Sequence, residues 1–140
     1  MADPIGQIVQ EIRTGLQADG GTWPVQVRGG RRMEGDADTA GDSPPLVIVR
    51  INSRNRTERI AHARWRIAVQ AFDLDPRLAA VLDERVSEIL HSEGPRHPAA
   101  NVAIYRSAEE VGGQAGEDPD TRWSSVTSVY IVHATTATNV

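Results

Sequence analysis

Ala61-His62-Ala63-Arg64-Trp65-Arg66-Ile67-Ala68-Val69-Gln70-Ala71 is the stretch from which the fold of this chain can be read. Ala61, Ala63, Trp65, Ile67, Val69 and Ala71 fall on one side of an extended chain, and His62, Arg64, Arg66, Ala68 and Gln70 on the other. Successive side chains of a strand point to opposite faces. The alternation therefore predicts an antiparallel sheet with one face buried and the other open.

Working outward, Leu46 to Ile51 is an apolar run rich in β-branched residues and interrupted only by Arg50, which predicts a preceding strand. Asn52 to Glu58 is polar, carries Arg54 and Arg56, and reads as the hairpin connection between the two. Downstream, Asp75-Pro76 sets a capping carboxylate before a proline suited to the first helical position. Leu78, Leu82, Val86 and Ile89 then recur at helical spacing, widened by Val81 and Leu90, until Gly94-Pro95. The same signal opens the chain: Asp3-Pro4 precedes the stripe Ile5, Ile8, Val9, Ile12 and Leu16, which Asp19-Gly20-Gly21 ends.

The remaining segments are weaker. Trp23 to Arg28 reads as a short extended stretch whose Pro24 argues for a strand start or an edge strand, Asn101 to Tyr105 as a short strand and Trp123 to Thr135 as a long one. Gly29–Pro45 and Ser107–Arg122, both rich in Gly and acidic residues, are expected to be long loops. The order is α-β-β-β-α-β-β in one domain spanning residues 1–140, with long loops at about 29–45 and 107–122. This predicts an α+β fold with both helices packed on one face of a mainly antiparallel sheet.

Composition excludes several function classes. With no Cys, the 140 residues hold no disulfide framework, thiolate metal site or cysteine nucleophile. No apolar run approaches the ~20 residues of a membrane span, and no signal-peptide pattern opens the chain, so a soluble, cytoplasmically made protein is expected. The net charge of −4 argues against clamping nucleic acid over the whole surface. The four histidines, His62, His91, His97 and His133, lack metal-ligand spacing. Asp36, Asp38 and Asp42 imitate the start of a calcium loop, but its twelfth position is Val47 rather than a bidentate Glu. Glu109-Glu110 and the group Glu117, Asp118 and Asp120 read as solvated loop charges, without the burial that would separate their pKa values for acid–base work. No nucleophile elbow or phosphate loop is present, so neither an enzyme nor a cofactor is expected.

What stands out is arginine. All 15 basic residues are Arg, and Arg50, Arg54, Arg56, Arg59, Arg64 and Arg66 cluster on the first hairpin. They suit a solvated sheet face, a salt-bridged subunit interface or a nucleic-acid surface. Projection from a rigid strand favours the interface, with acidic partners available in Glu34–Asp42 and in Glu117–Asp120. Basic and acidic elements on one subunit suit head-to-tail contacts, which close into rings.

The stretch from Leu46 to Leu90 resembles the tail terminator (tail completion) proteins of long-tailed bacteriophages. It carries an apolar strand, an Arg-rich turn, a strand ending Trp65-Arg66-Ile67-Ala68-Val69-Gln70-Ala71-Phe72-Asp73, and a helix opening Asp75-Pro76-Arg77-Leu78-Ala79. The N-terminal helix and the late strand after Asp118-Pro119-Asp120-Thr121 agree with the pattern. The resemblance implies a structural subunit of the virion neck, assembled in the host cytoplasm into a ring, usually a hexamer. Its partners would be the tail tube protein and a head-side connector or stopper, with no cofactor, and DNA would pass through unread. On that reading Arg50, Arg54, Arg56, Arg64, Arg66, Asp118 and Asp120 are interface candidates, and some acidic loop residues face the lumen. The rivals are another head-closure component, a double-stranded RNA-binding module and a small α+β enzyme whose site shows no linear motif. The acidic start of the second helix, Asp73 to Arg77, disfavours the RNA-binding module.

Overall fold

The computed structural model describes residues 4–18, 25–30, 43–56, 62–91, 96–99, 102–118 and 122–136. Of these, 54–56, 62–63, 96–99, 102–103, 105–106 and 135–136 are described by their backbone alone.

The chain adopts the expected α+β architecture, with two helices on one face of a mixed, mostly antiparallel sheet. In chain order the elements are α1 (Ile5–Gln17), β1 (Gln26–Gly29), β2 (Leu46–Arg56), β3 (His62–Asp73), α2 (Pro76–Leu90), β4 (Arg96–Ala99), β5 (Val102–Glu117) and β6 (Ser124–Thr136). The strands lie in the order β1-β2-β3-β6-β5-β4. Among the described residues only β1 and β2 pair in parallel. α2 carries the chain from β3 to the far edge, so that β6 returns to fill the place beside β3.

The alternation around Trp65 sets the faces as expected. Trp65, Ile67, Val69 and Ala71 of β3 meet Val47 and Val49 of β2 and Tyr130, Val132 and Ala134 of β6 in the main core. Ile8, Val9, Ile12 and Leu16 of α1, with Leu82, Val86 and Leu90 of α2, cover it. The other face is less open than the alternation implies. Leu46, Ile48 and Phe72 form a second small cluster there, with Trp123 edge-on to Phe72 at 6.3 Å between ring centroids.

Three expectations are corrected. β2 does not stop at Ile51 but runs to Arg56, because a bulge between Ile51 and Ser53 absorbs the break in its apolar pattern. The segment expected to loop from Ser107 is strand as far as Glu117. β5 pairs with β6 along its length but carries register shifts between Ile104 and Arg106, between Glu109 and Val111, and between Val111 and Gln114. Each shift resets the alternation, which hid the strand. Finally, the buried face of α2 is Ala79, Leu82, Asp83, Val86 and Leu90, while Leu78 and Val81 are exposed and Ile89 is half-buried. α2 lies against sheet and α1 together, and that pair of surfaces turns the helix away from its most apolar stripe. The first predicted loop falls almost wholly outside the described residues, as do Asp3, Asp19-Gly20-Gly21 and Gly94-Pro95.

Candidate functional site

The sheet face away from the helices collects the charged side chains of β3. Arg64 and Arg66 stand two residues apart on it, opposite His133 and Ile131 of β6. On β5 the shift between Glu109 and Val111 leaves Glu110 as an extra residue, and its carboxylate reaches across β6. It ion-pairs closely with Arg66 and lies 3.9 Å from Arg64. Ala108, Ile131 and His133 complete a shallow depression around this group. The side chains remain half or a third exposed, so water screens the pairs and each stabilises the fold by no more than about 1 kcal/mol.

Among the described residues Glu110 is thus the acid that Arg64 and Arg66 meet within the chain. Residues 31–42, containing most of one loop, and Asp120 lie outside the described residues, as does Arg59. Glu117 pairs instead with Arg122 at 3.4 Å. Asp118 sits at the opposite end of the sheet, where its N–H donates to Trp123 O at 2.8 Å and its carbonyl accepts from Arg122 N at 2.9 Å. It closes the β5–β6 connection.

The arginines of β2 are split by the bulge. Arg50 lies opposite Ala68 on the same face as Arg64 and Arg66, half-buried, with its Nε buried and lacking a hydrogen-bond partner. Beyond the shift, the backbone register sets Arg54 opposite Trp65 and Arg56 opposite Ala63.

A second polar group, not anticipated from sequence, lies where α2 crosses β6. Asp83, 5% exposed, accepts a hydrogen bond from Ser128 Oγ at 2.7 Å, and Gly113 N donates to the same hydroxyl oxygen at 3.0 Å. Burial raises the pKa of Asp83; Glu109 and Glu84 raise it further, against the lowering by Ser128. Tyr130, fully buried beside Ser87 and Ser128, has its phenol pKa raised chiefly by desolvation. Glu84, Glu88 and Glu109 line the groove above this group, between α2 and the Gly112-Gly113 segment. Asp83 was hidden because its i+3/i+4 spacing from apolar residues becomes visible only once the helix orientation is known.

Among the described residues no group of three or more His, Asp or Glu side chains converges as a metal site. No helix is long and apolar enough to cross a membrane among the residues described. No family model matches the sequence, and no curated protein is significantly similar to it.

Proposed function

We propose that this chain is a structural subunit of a phage tail, a terminator that forms a ring at the head-proximal end of the tube and joins it to the head connector. It acts by assembly rather than catalysis. The observation that carries this reading is a set of large apolar side chains left outside the core at the start of α2. Leu74, just before α2, is 73% exposed, and Leu78 and Val81, three residues apart on α2, are 48% and 46% exposed. Large apolar side chains left this exposed on one segment suit surface that a partner covers.

The face bearing Arg64, Arg66 and Glu110 supports the same reading, since half-exposed opposite charges on a rigid sheet serve orientation and partner choice. The start of α2 counts against the RNA-binding alternative. Asp73 Oδ1 accepts from Asp75 N at 3.1 Å and Asp75 Oδ1 accepts from Arg77 N at 2.9 Å, so two carboxylates occupy the place a phosphate would need.

Light scattering on the purified chain, alone and mixed with the tail tube protein, tests the proposal. A ring-sized species in either condition is expected. A monomer in both would remove the terminator reading.

A further inference from the structure

The last of the register shifts in β5 lies beside α2. Val111 pairs with Val129 and Gln114 with Thr127, so Gly112 and Gly113 together stand against Ser128 alone. Two residues against one make a bulge, which puts backbone polar groups out of step with the ladder, where they need other partners. Gly113 takes up a left-handed conformation there, at φ 58°. Its N–H finds a side chain, donating to Ser128 Oγ at 3.0 Å. The buried Ser128 hydroxyl donates in turn to Asp83 Oδ1 of α2 at 2.7 Å. One relay thus ties the bulge of β5 to β6 and to α2.

The end of that relay is an ionisable group in a place that disfavours charge. On α2 itself Glu84 follows Asp83 directly and Ser87 lies one turn on, while Glu88 pairs with Arg85 at 3.2 Å. From β5 comes Glu109, whose carboxylate folds over Gly112, where a Cβ would lie 2.9 Å from it. From β6 come Ser128 and Tyr130, whose phenol burial keeps neutral. β3 and α1 face α2 with apolar side chains of the main core. His91 lines the adjoining depression with Ser87, Glu88 and Glu109. Burial, Glu109 and Glu84 all favour the protonated form of Asp83, and they outweigh the Ser128 hydrogen bond, which favours the ionised one.

An ionised Asp83 needs water, and the bulge is the cover that can move. Gly112 and Gly113 are exposed and carry no side chain, whereas α2 and β6 are held by the core. Moving the bulge outward admits water, separates Glu109 from Asp83 and gives up one backbone hydrogen bond. We propose that the Gly112–Gly113 bulge is a proton-operated latch, shut on Ser128 while Asp83 is protonated and released when Asp83 ionises. Linkage gives the direction. In the opened seam a solvated Asp83 loses its proton at about pH 4, while in the shut seam it keeps the proton to higher pH. Opening is therefore favoured as pH rises between those two values, and no further above the second. The latch does not depend on the ring reading.

Amide hydrogen exchange of the full chain, followed by NMR and corrected for the intrinsic pH dependence of exchange, tests it. Protection of Gly113 N–H should fall by up to roughly tenfold per pH unit from about pH 4, and level off where the Asp83 carboxyl carbon shift titrates. In urea well short of unfolding, Gly113 exchange should not respond to urea, because a local opening exposes little surface. Val69 N–H in the central strand β3 should quicken with urea, as expected for exchange through unfolding. Asp83→Asn should keep the protection of Gly113 and lose its pH dependence. Glu109→Gln removes one like charge, so the carboxyl titration and the levelling-off should both move to lower pH. Gly113 protection that is flat with pH, that changes equally in Asp83→Asn, or that follows Val69 at every urea concentration would each overturn the latch. If Asp83→Asn does not fold, the wild-type urea series and Glu109→Gln decide by the same readouts.

Discussion

Asp83 occupies the sheet-facing side of α2, where little water reaches its carboxylate and Ser128 supplies its hydrogen bond. Because burial raises its pKa above 3.8, the folded chain holds this proton more tightly than the unfolded one. Its contribution therefore favours folding below that value and turns against folding as pH rises through the folded pKa, opposite in sign to a salt-bridged Asp. Asp83→Asn keeps an acceptor for Ser128 and removes the ionisation. Urea unfolding between about pH 4 and about pH 7 should show the variant more stable than wild type at the upper end, without the fall assigned to Asp83; an unchanged fall would place its origin elsewhere. Gly15 is a second single-residue constraint, because a Cβ there would lie 2.6 Å from Ile89 Cδ1 and 2.7 Å from Cγ1. Alanine gains about 1 kcal/mol of helix propensity but must displace Ile89 at a cost of about 1–3 kcal/mol. Gly15→Ala should thus destabilise by about 1 kcal/mol in thermal melts, and in an Ile89→Ala background the same change should stabilise. Equal effects in both backgrounds would mean that the helices separate freely. Neither constraint can be seen in a linear sequence, since each depends on an atom supplied by another element.

At the scale of elements, the two helices show what local chemistry can and cannot announce. Asp75-Pro76 does what its sequence promises: Asp75 caps α2 and Pro76 opens it. Asp75→Ala should lower the stability to unfolding by about 1 kcal/mol, and no change would mean that Asp73 takes over the cap. At α1 the N-cap position is Pro4 itself, without a side-chain cap bond. The far end of α2 is finished from a distance, by the Ser107 hydroxyl of β5 donating to Leu90 O. β3 and β6 were legible because their alternation is unbroken across the whole of their pairing. β5 was not, because each register shift moves the following residues to the other face. That displacement also brings Glu110 onto Arg66, so the same irregularity that hid the strand built the ion pair. Glu110→Ala should change stability by less than about 1 kcal/mol, as expected for exposed charges. A loss much larger than this would show that Glu110 holds the β5 register rather than a surface pair.

For the whole molecule, the question is which surfaces folding leaves for other chains. Leu74, Leu78 and Val81 stabilise nothing within the subunit to the extent of a core residue. Leu78→Asp should accordingly leave thermal stability within about 0.5 kcal/mol of wild type while weakening binding to the tube or connector partner. Ile12→Asp, at a position with 0% exposure, should unfold the subunit through a buried charge costing several kcal/mol. Binding unaffected by Leu78→Asp would leave the exposed apolar side chains without the assigned role. Read along the chain, Arg50, Arg54, Arg56, Arg64 and Arg66 form one cluster, yet the register shift after Ile51 falls between Arg50 and Arg54. By itself the sequence determined the fold class, the buried face of β3, the stripe of α1 and the start of α2. Periodicity and capping are set by residues close together in the chain, and these features need nothing else. Only the tertiary structure decided the strand order, the parallel pairing of β1, the rotation of α2 and the Asp83–Ser128 pair. Those depend on which elements become neighbours, and burial and desolvation are properties of neighbours rather than of spacing.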